Sequence, residues 1–163
     1  MTETSGRPVR AAAERPPVDW LRRVSLGLSL LGMLVSGYLT WVKFSHTQAL
    51  CTGVGGCEAV NNSAYSEIHG IPVAALGLGA YLLMALILAF ESRGPGWEEY
   101  GRLAVFGLAL TGTLYSAYLT YVELFVIFAV CPYCVTSALI ITGILILSVL
   151  RLARGMPGGA AAG

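Results

Sequence analysis

Charge is what this chain has least of. Of its 163 residues, 12% are Asp, Glu, Lys or Arg and 56% are hydrophobic, with a mean hydropathy of +0.71. An ordinary soluble domain carries about 25% charge, so this balance excludes one. No charged residue falls deep within an apolar run, which removes the usual markers of an ion path through a membrane. Basic residues do not cluster with interleaved aromatics and the net charge is +1, which excludes a nucleic-acid surface. The apolar runs lack the two-residue alternation of barrel strands, leaving helices as the way across a bilayer. The first run lacks an A-x-A-like cleavage site and is longer than a signal-peptide core, so it reads as a retained span. Cysteine is scarce too, at four residues.

What is present is four runs long enough to cross a hydrocarbon core of about 30 Å, which takes roughly 20 apolar residues in a helix. They are Val24 to Phe44, Ile71 to Phe90, Leu103 to Val122 and Cys131 to Leu150. The expected fold is all-α: an integral membrane four-helix bundle over residues 20–154, with an outer loop from Ser45 to Gly70. Residues 1–19 and 155–163 are Pro/Gly/Ala-rich and aperiodic, and are expected to be disordered cytoplasmic tails. Arg7, Arg10, Arg15, Arg22 and Arg23 precede the first span, Arg93 and Arg102 bracket the second loop, and Arg151 and Arg154 follow the last span. The positive-inside rule then puts both termini in the cytoplasm and the first and third loops outside. Lys43 is the exception, at an outer helix end where its stem can snorkel. Trp20, Trp97 and Tyr100 fall at inner interfaces and Trp41 and Tyr121 at outer ones, as aromatic belts require.

Gly32 to Lys43 aligns with Gly112 to Glu123 at an offset of eighty, sharing Gly, Leu, Ser, Tyr, Leu, Thr and Val, and Cys51 falls on Cys131 at the same offset. Duplication of a two-helix hairpin and shared membrane composition both account for this. The small-xxx-small pairs Ser36/Thr40 and Ser116/Thr120 are expected to let helices approach and to hydrogen-bond across the bundle.

All four cysteines, Cys51, Cys57, Cys131 and Cys134, fall outside by this topology. Cys131-Pro132-Tyr133-Cys134 opens the fourth span. At a helix start, unpaired N–H groups and the positive end of the dipole favour a thiolate, the nucleophile of disulfide exchange. Pro132 suits the first turn, where it forfeits no helix hydrogen bond. A C-x-x-C pair can also be half a zinc site or two plain buried thiols. The absence of a second C-x-x-C and the helix-initiating position favour redox chemistry. Cys51 and Cys57 flank Gly53, Gly55 and Gly56 in the first outer loop. Such a pair can form a static disulfide, meet an outside protein, or swing toward the helix pair, and the C-x-x-C on the same membrane face favours a relay. Zinc held by these cysteines and His69 is the weaker option, because the C-x5-C spacing is loose for a zinc knuckle. A metal-binding or transport tetraspan with a Cys-rich outer site is the alternative function.

With these residues in view, the chain resembles the vitamin K epoxide reductase family in its bacterial form. The likeness rests on Cys51 and Cys57, on Ser63 six residues later, on the Gly70-Ile-Pro-Val-Ala-Ala-Leu-Gly-Leu78 segment, and on Cys131-Pro-Tyr-Cys134. It covers Val24 to Leu150. It implies a four-helix bundle around a quinone, menaquinone or ubiquinone, capped by a short loop helix over Glu58 to Ser66. Bacterial members are often fused to a thioredoxin-like domain, and this chain ends at Gly163 without one. The expected partner is therefore a separate extracytoplasmic thioredoxin-fold (DsbA-like) oxidase. Vertebrate members carry a tyrosine where Ala138 stands, a departure that weighs against carrying epoxide reduction and anticoagulant-type binding over to this chain.

The implied activity is that of a quinone-reducing thiol oxidoreductase in the inner (cytoplasmic) membrane. The partner attacks a Cys51–Cys57 disulfide at Cys51, Cys57 attacks Cys131, and Cys134, one turn deeper, faces the quinone. Ser63 is expected either to hydrogen-bond a quinone carbonyl or to cap the loop helix. Pro72, Ala74, Ala75 and Gly77 are expected to line the ring pocket, because small residues leave room for a flat ring.

Overall fold

A computed structural model describes residues 18–45, 56, 59–60, 63–91 and 95–155. Four long helices carry the chain: α1 (Val18–Phe44), α2 (Val73–Phe90), α3 (Pro95–Val122) and α4 (Pro132–Gly155). All four are long and apolar enough to span a bilayer, and the protein is a multi-pass membrane protein. The all-α bundle expected from the sequence is therefore present. The helices run past the expected spans where polar residues continue the helical repeat: α1 starts at Val18, α3 at Pro95, and α4 reaches Gly155.

Each span is a lopsided cylinder. Leu34, Trp41, Leu114, Leu139 and Ile146 are exposed, the state of side chains meant for lipid, and Trp20, Trp97, Tyr100 and Tyr121 are exposed near helix ends. The inward stripes meet in a core of Tyr81, Met84, Leu88, Val105, Ala109, Ile140, Ile141 and Ile144. α1 packs chiefly on α2 and α4, and α3 chiefly on α4, while α2 and α3 touch more sparsely. Close approach needs small residues. A Cβ on Gly32 would lie 2.5 Å from the Tyr81 ring, and one on Gly77 would lie 3.3 Å from Ser36 Oγ. The repeat threonines do not reach across the bundle as expected. Thr40 Oγ1 donates to the Ser36 carbonyl at 2.7 Å and Thr120 Oγ1 to the Ser116 carbonyl at 2.9 Å, each within its own helix. In an apolar surrounding, the carbonyl four residues back is the nearest acceptor for a threonine hydroxyl.

Two irregular segments sit at the thiol end. Ile71 and Pro72, expected to begin the second span, instead form β2 (Ile71–Pro72), which pairs antiparallel with β1 (Glu67–Ile68). His69 and Gly70, both at positive φ, make the two-residue turn that matches strand twist. After α3 the chain widens into a π turn, Glu123–Ile127, closed by Phe128 in the left-handed region at φ 54°. Such widened turns concentrate at functional sites.

The opposite, arginine-rich end is locked by charge. Arg151 Nη2 lies 2.6 Å from Glu91 Oε1 with both side chains almost fully buried, and Arg102 joins Glu91 at 3.7 Å while pairing with Glu98. Arg22 Nε donates to the Leu88 carbonyl at 2.9 Å, tying α1 to the end of α2. Arg22, Arg102 and Arg151, read from the sequence as part of a rim, are thus internal fasteners.

Candidate active site at the thiol end

Cys131 is the N-cap of α4, its carbonyl accepting the first helical bond from Val135 N–H at 3.1 Å, and Pro132 follows at the first helical position. Both helix-pair cysteines are free thiols, Cys131 buried and Cys134 half-buried. The Cys134 thiol donates to Cys131, and the N–H groups of Cys134 and Tyr133 add to this. Together they pull the Cys131 pKa from 9.0 down to about 7, against burial and the nearby Glu123 charge. The tyrosine between the cysteines is held by Tyr38 of α1, with ring centroids 5.3 Å apart.

Both thiols open on a cavity of about 350 Å³ walled by all four helices and the loop between α1 and α2. That volume falls within the range of small-molecule sites, and the walls are largely apolar, from Leu39, Val73, Leu76, Met84, Leu108 and Ile141. Hydroxyls of Ser36, Tyr115, Ser116 and Ser137 interrupt them. Tyr81 donates to the Ser137 carbonyl at 2.9 Å, which joins α2 to α4 beneath the cysteines.

Of the residues singled out in the sequence, Cys131, Cys134, Ser63, Ala74 and Gly77 line this cavity. Pro72 and Ala75 do not. Ala74, Gly77 and Tyr81 fall on one helical stripe, whereas Ala75 is rotated about 100° from Ala74, and Pro72 is buried at the N-cap of α2. Cys51 and Cys57 lie outside the described residues, as do Glu58, Asn61 and Asn62 of the expected loop helix. Ala59 and Val60 are helical and Ala64–Ser66 form a 3₁₀ turn. Ser63 precedes that turn without a side-chain cap bond, because its hydroxyl donates backward to the Val60 carbonyl at 2.7 Å. Lys43 holds the loop from α1, 3.0 Å from Glu67 Oε1 and 3.4 Å from Ser66 Oγ. Gly56, the residue before Cys57 in the chain, packs against Ala129, two residues before Cys131.

Sequence reasoning missed Glu123. It is buried, lines the cavity, accepts the Cys131 N–H at Oε2 over 3.2 Å, and lies within hydrogen-bonding reach of the Cys134 thiol. A signal was available: in the offset-eighty alignment Glu123 stands where Lys43 does, a charge ending an apolar helix.

A helix-capping C-x-x-C pair beside an apolar cavity in a four-span bundle defines a membrane protein built for thiol chemistry. The sequence profile of the Vitamin K epoxide reductase family matches residues 23–149, and the chain belongs to that family. It is also similar to the thiol-disulfide oxidoreductase LTO1 of Arabidopsis thaliana, 32% identical over 123 residues, which are 72% of this chain and 33% of that relative. The chain thus spans about a third of the length of that protein.

Proposed function

We propose that this protein is a quinone-dependent thiol:disulfide oxidoreductase of the cytoplasmic membrane that reoxidises an extracytoplasmic thioredoxin-fold partner of the DsbA type. The carrying observation is that Cys131 and Cys134 share one apolar cavity of about 350 Å³ with Ser63, Ala74 and Gly77. Membership of the family and the likeness to a thiol-disulfide oxidoreductase support the same reading.

The residues present fit a quinone. Gly77 and Ala74 leave open wall where larger side chains would fill it, and Leu39, Leu76 and Ile141 would flank a ring and the start of an isoprenoid tail. Menaquinone or ubiquinone bound there would supply a two-electron acceptor. The Ser63 hydroxyl, now on Val60, would have to rotate to donate to a carbonyl of the ring.

The chain's own residues then act in series. The partner dithiol reduces the Cys51–Cys57 disulfide, and Cys57 attacks Cys131 within the helix disulfide, releasing Cys134. Cys51 closes on Cys57 and expels Cys131. The lowered pKa of Cys131, about 7, makes it a good leaving group in that last exchange. The packing of Gly56 against Ala129 supports a meeting of loop and helix pairs.

The test is purified protein given a reduced thioredoxin-fold oxidase and a soluble quinone analogue. Thiol oxidation and quinone reduction should proceed together, and Cys134→Ala should abolish quinone reduction. Full turnover by that variant would remove Cys134 from its role.

A further inference from the structure

Disulfide formation between Cys131 and Cys134 requires both sulfurs to lose their protons. Cys131 is already poised to do so, but Cys134 carries the proton that it donates to Cys131. A second acceptor is within reach of that thiol: the Glu123 carboxylate, buried at the first residue of the π turn and lining the cavity. The turn is wound around Glu123. Its carbonyl accepts the N–H of Phe128 and, at 3.1 Å, that of Ala129, while its Oε2 accepts the Cys131 N–H. The left-handed Phe128 closes the turn, so a conformation disfavoured for a bulky residue is tolerated where it sets the carboxylate against the thiol pair. A carboxylate removed from water costs free energy unless it has partners, and here both partners belong to the reacting cysteines.

We propose that Glu123 is a catalytic residue, the general base and acid for Cys134. Oxidation starts with the Cys134 S–H bond breaking and a Glu123 O–H bond forming. The Cys131 and Cys134 thiolates then join, giving up two electrons to the quinone-class acceptor. One proton from the Glu123 carboxyl and one from solvent pass to the reduced acceptor, the second balancing the proton Cys131 had already released. In the opposite sense, Glu123 first takes up a proton of the kind that the partner dithiol releases, and when Cys57 attacks the helix disulfide at Cys131 the departing Cys134 thiolate takes that proton from the carboxyl. The assignment rests on the redox reading above, yet its test needs no quinone.

The experiment is alkylation of the reduced full-length protein by a small uncharged haloacetamide, with the rates at Cys131 and Cys134 read separately by peptide mass spectrometry. Glu123→Gln keeps an oxygen for the Cys131 N–H but cannot take a proton. Cys134 should slow at least about a hundredfold, the low end of what general base catalysis contributes. Cys131, relieved of a neighbouring negative charge, should react as fast or faster. A spacer or purely electrostatic role for Glu123 predicts the reverse at Cys134, since removing the charge would ease its ionisation, so an unchanged or faster Cys134 overturns the assignment. Glu123→Asp, one methylene short, should fall between wild type and Gln. If Glu123→Gln does not hold its fold by thermal melting, added formate decides on the Asp variant: acceleration of Cys134 supports the base, and none overturns it. A wild-type protein that fails to reduce quinone while these rates behave as described would sink the redox reading and leave Glu123 in place.

Discussion

The two ends of the bundle bury charge in opposite ways. At the arginine-rich end, Glu91 meets Arg151 at 2.6 Å with Arg102 close by, a strong cation against a strong anion, and the helices close over them. At the thiol end, Glu123 is buried with no cation within salt-bridge range among the described residues. Its partners are an N–H group and a thiol that can change state. The cavity, the π turn and the left-handed Phe128 all gather at that second end. The contrast teaches that one family of interaction, a carboxylate taken out of water, can serve as a fastener or as a reagent. Which it becomes depends on whether the partner can give up a proton, and an arginine cannot.

The comparison is broken most forcefully at the fastened end. Arg151→Met leaves Glu91 with only the more distant Arg102, at 3.7 Å, as a cationic partner, and the loss of one partner of a buried pair costs up to about 3–5 kcal/mol. Unfolding in detergent should show a fall of that order. The double variant Glu91→Leu/Arg151→Met should recover most of it, because the desolvation penalty leaves with the pair. Alkylation of Cys131 and Cys134 in the surviving folded fraction should be unchanged. Altered thiol reactivity would mean that the two ends are coupled.

The next effect is a chemical one at the open end. Because the Cys131 pKa is lowered from 9.0 to about 7, its thiolate form predominates above about pH 7 and is lost as pH falls through that value. The rate of Cys131 alkylation against pH should be half-maximal near 7, whereas an ordinary thiol is still mostly protonated there. Since the Cys134 thiol is the largest cause, Cys134→Ala should move that midpoint upward. A midpoint near 9 in the wild type would remove the poised thiolate from the thiol end.

Long apolar runs report the length of a span, so α2 is placed to within a few residues, and Pro132 correctly marks the start of α4. Hydropathy says little about rotation around a helix axis, and for that reason Ala75, which does not line the cavity, was named beside Ala74 and Gly77, which do. The thiols of Cys131 and Cys134 were legible because their spacing is local. Glu123 was not, since its burial depends on a π turn and a phenylalanine at positive φ that no composition announces. Arg151 was read by its charge as a rim residue, while its partner Glu91 stands sixty residues away in the chain.

The smallest effect is expected where the two odd helices end alike in the alignment but unlike in space. Lys43 closes α1 as Glu123 closes the regular part of α3, yet Lys43 reaches Glu67 at the rim, where the glutamate side chain is 44% exposed. An ion pair in contact with water is worth about 0.2–1 kcal/mol, because solvent screens it and two long side chains must be held in place. Glu67→Gln should therefore change unfolding by no more than about 1 kcal/mol. Its effect should appear instead in the loop, as faster proteolysis or hydrogen exchange around Ser66, with the Cys134 alkylation rate held at the wild-type value. Equal sensitivity of Cys134 to Glu67→Gln and to Glu123→Gln would show that loop position, and not a buried carboxylate, governs the thiol. The distinction between a charge that fastens and a charge that reacts would then fail at the end where it matters most.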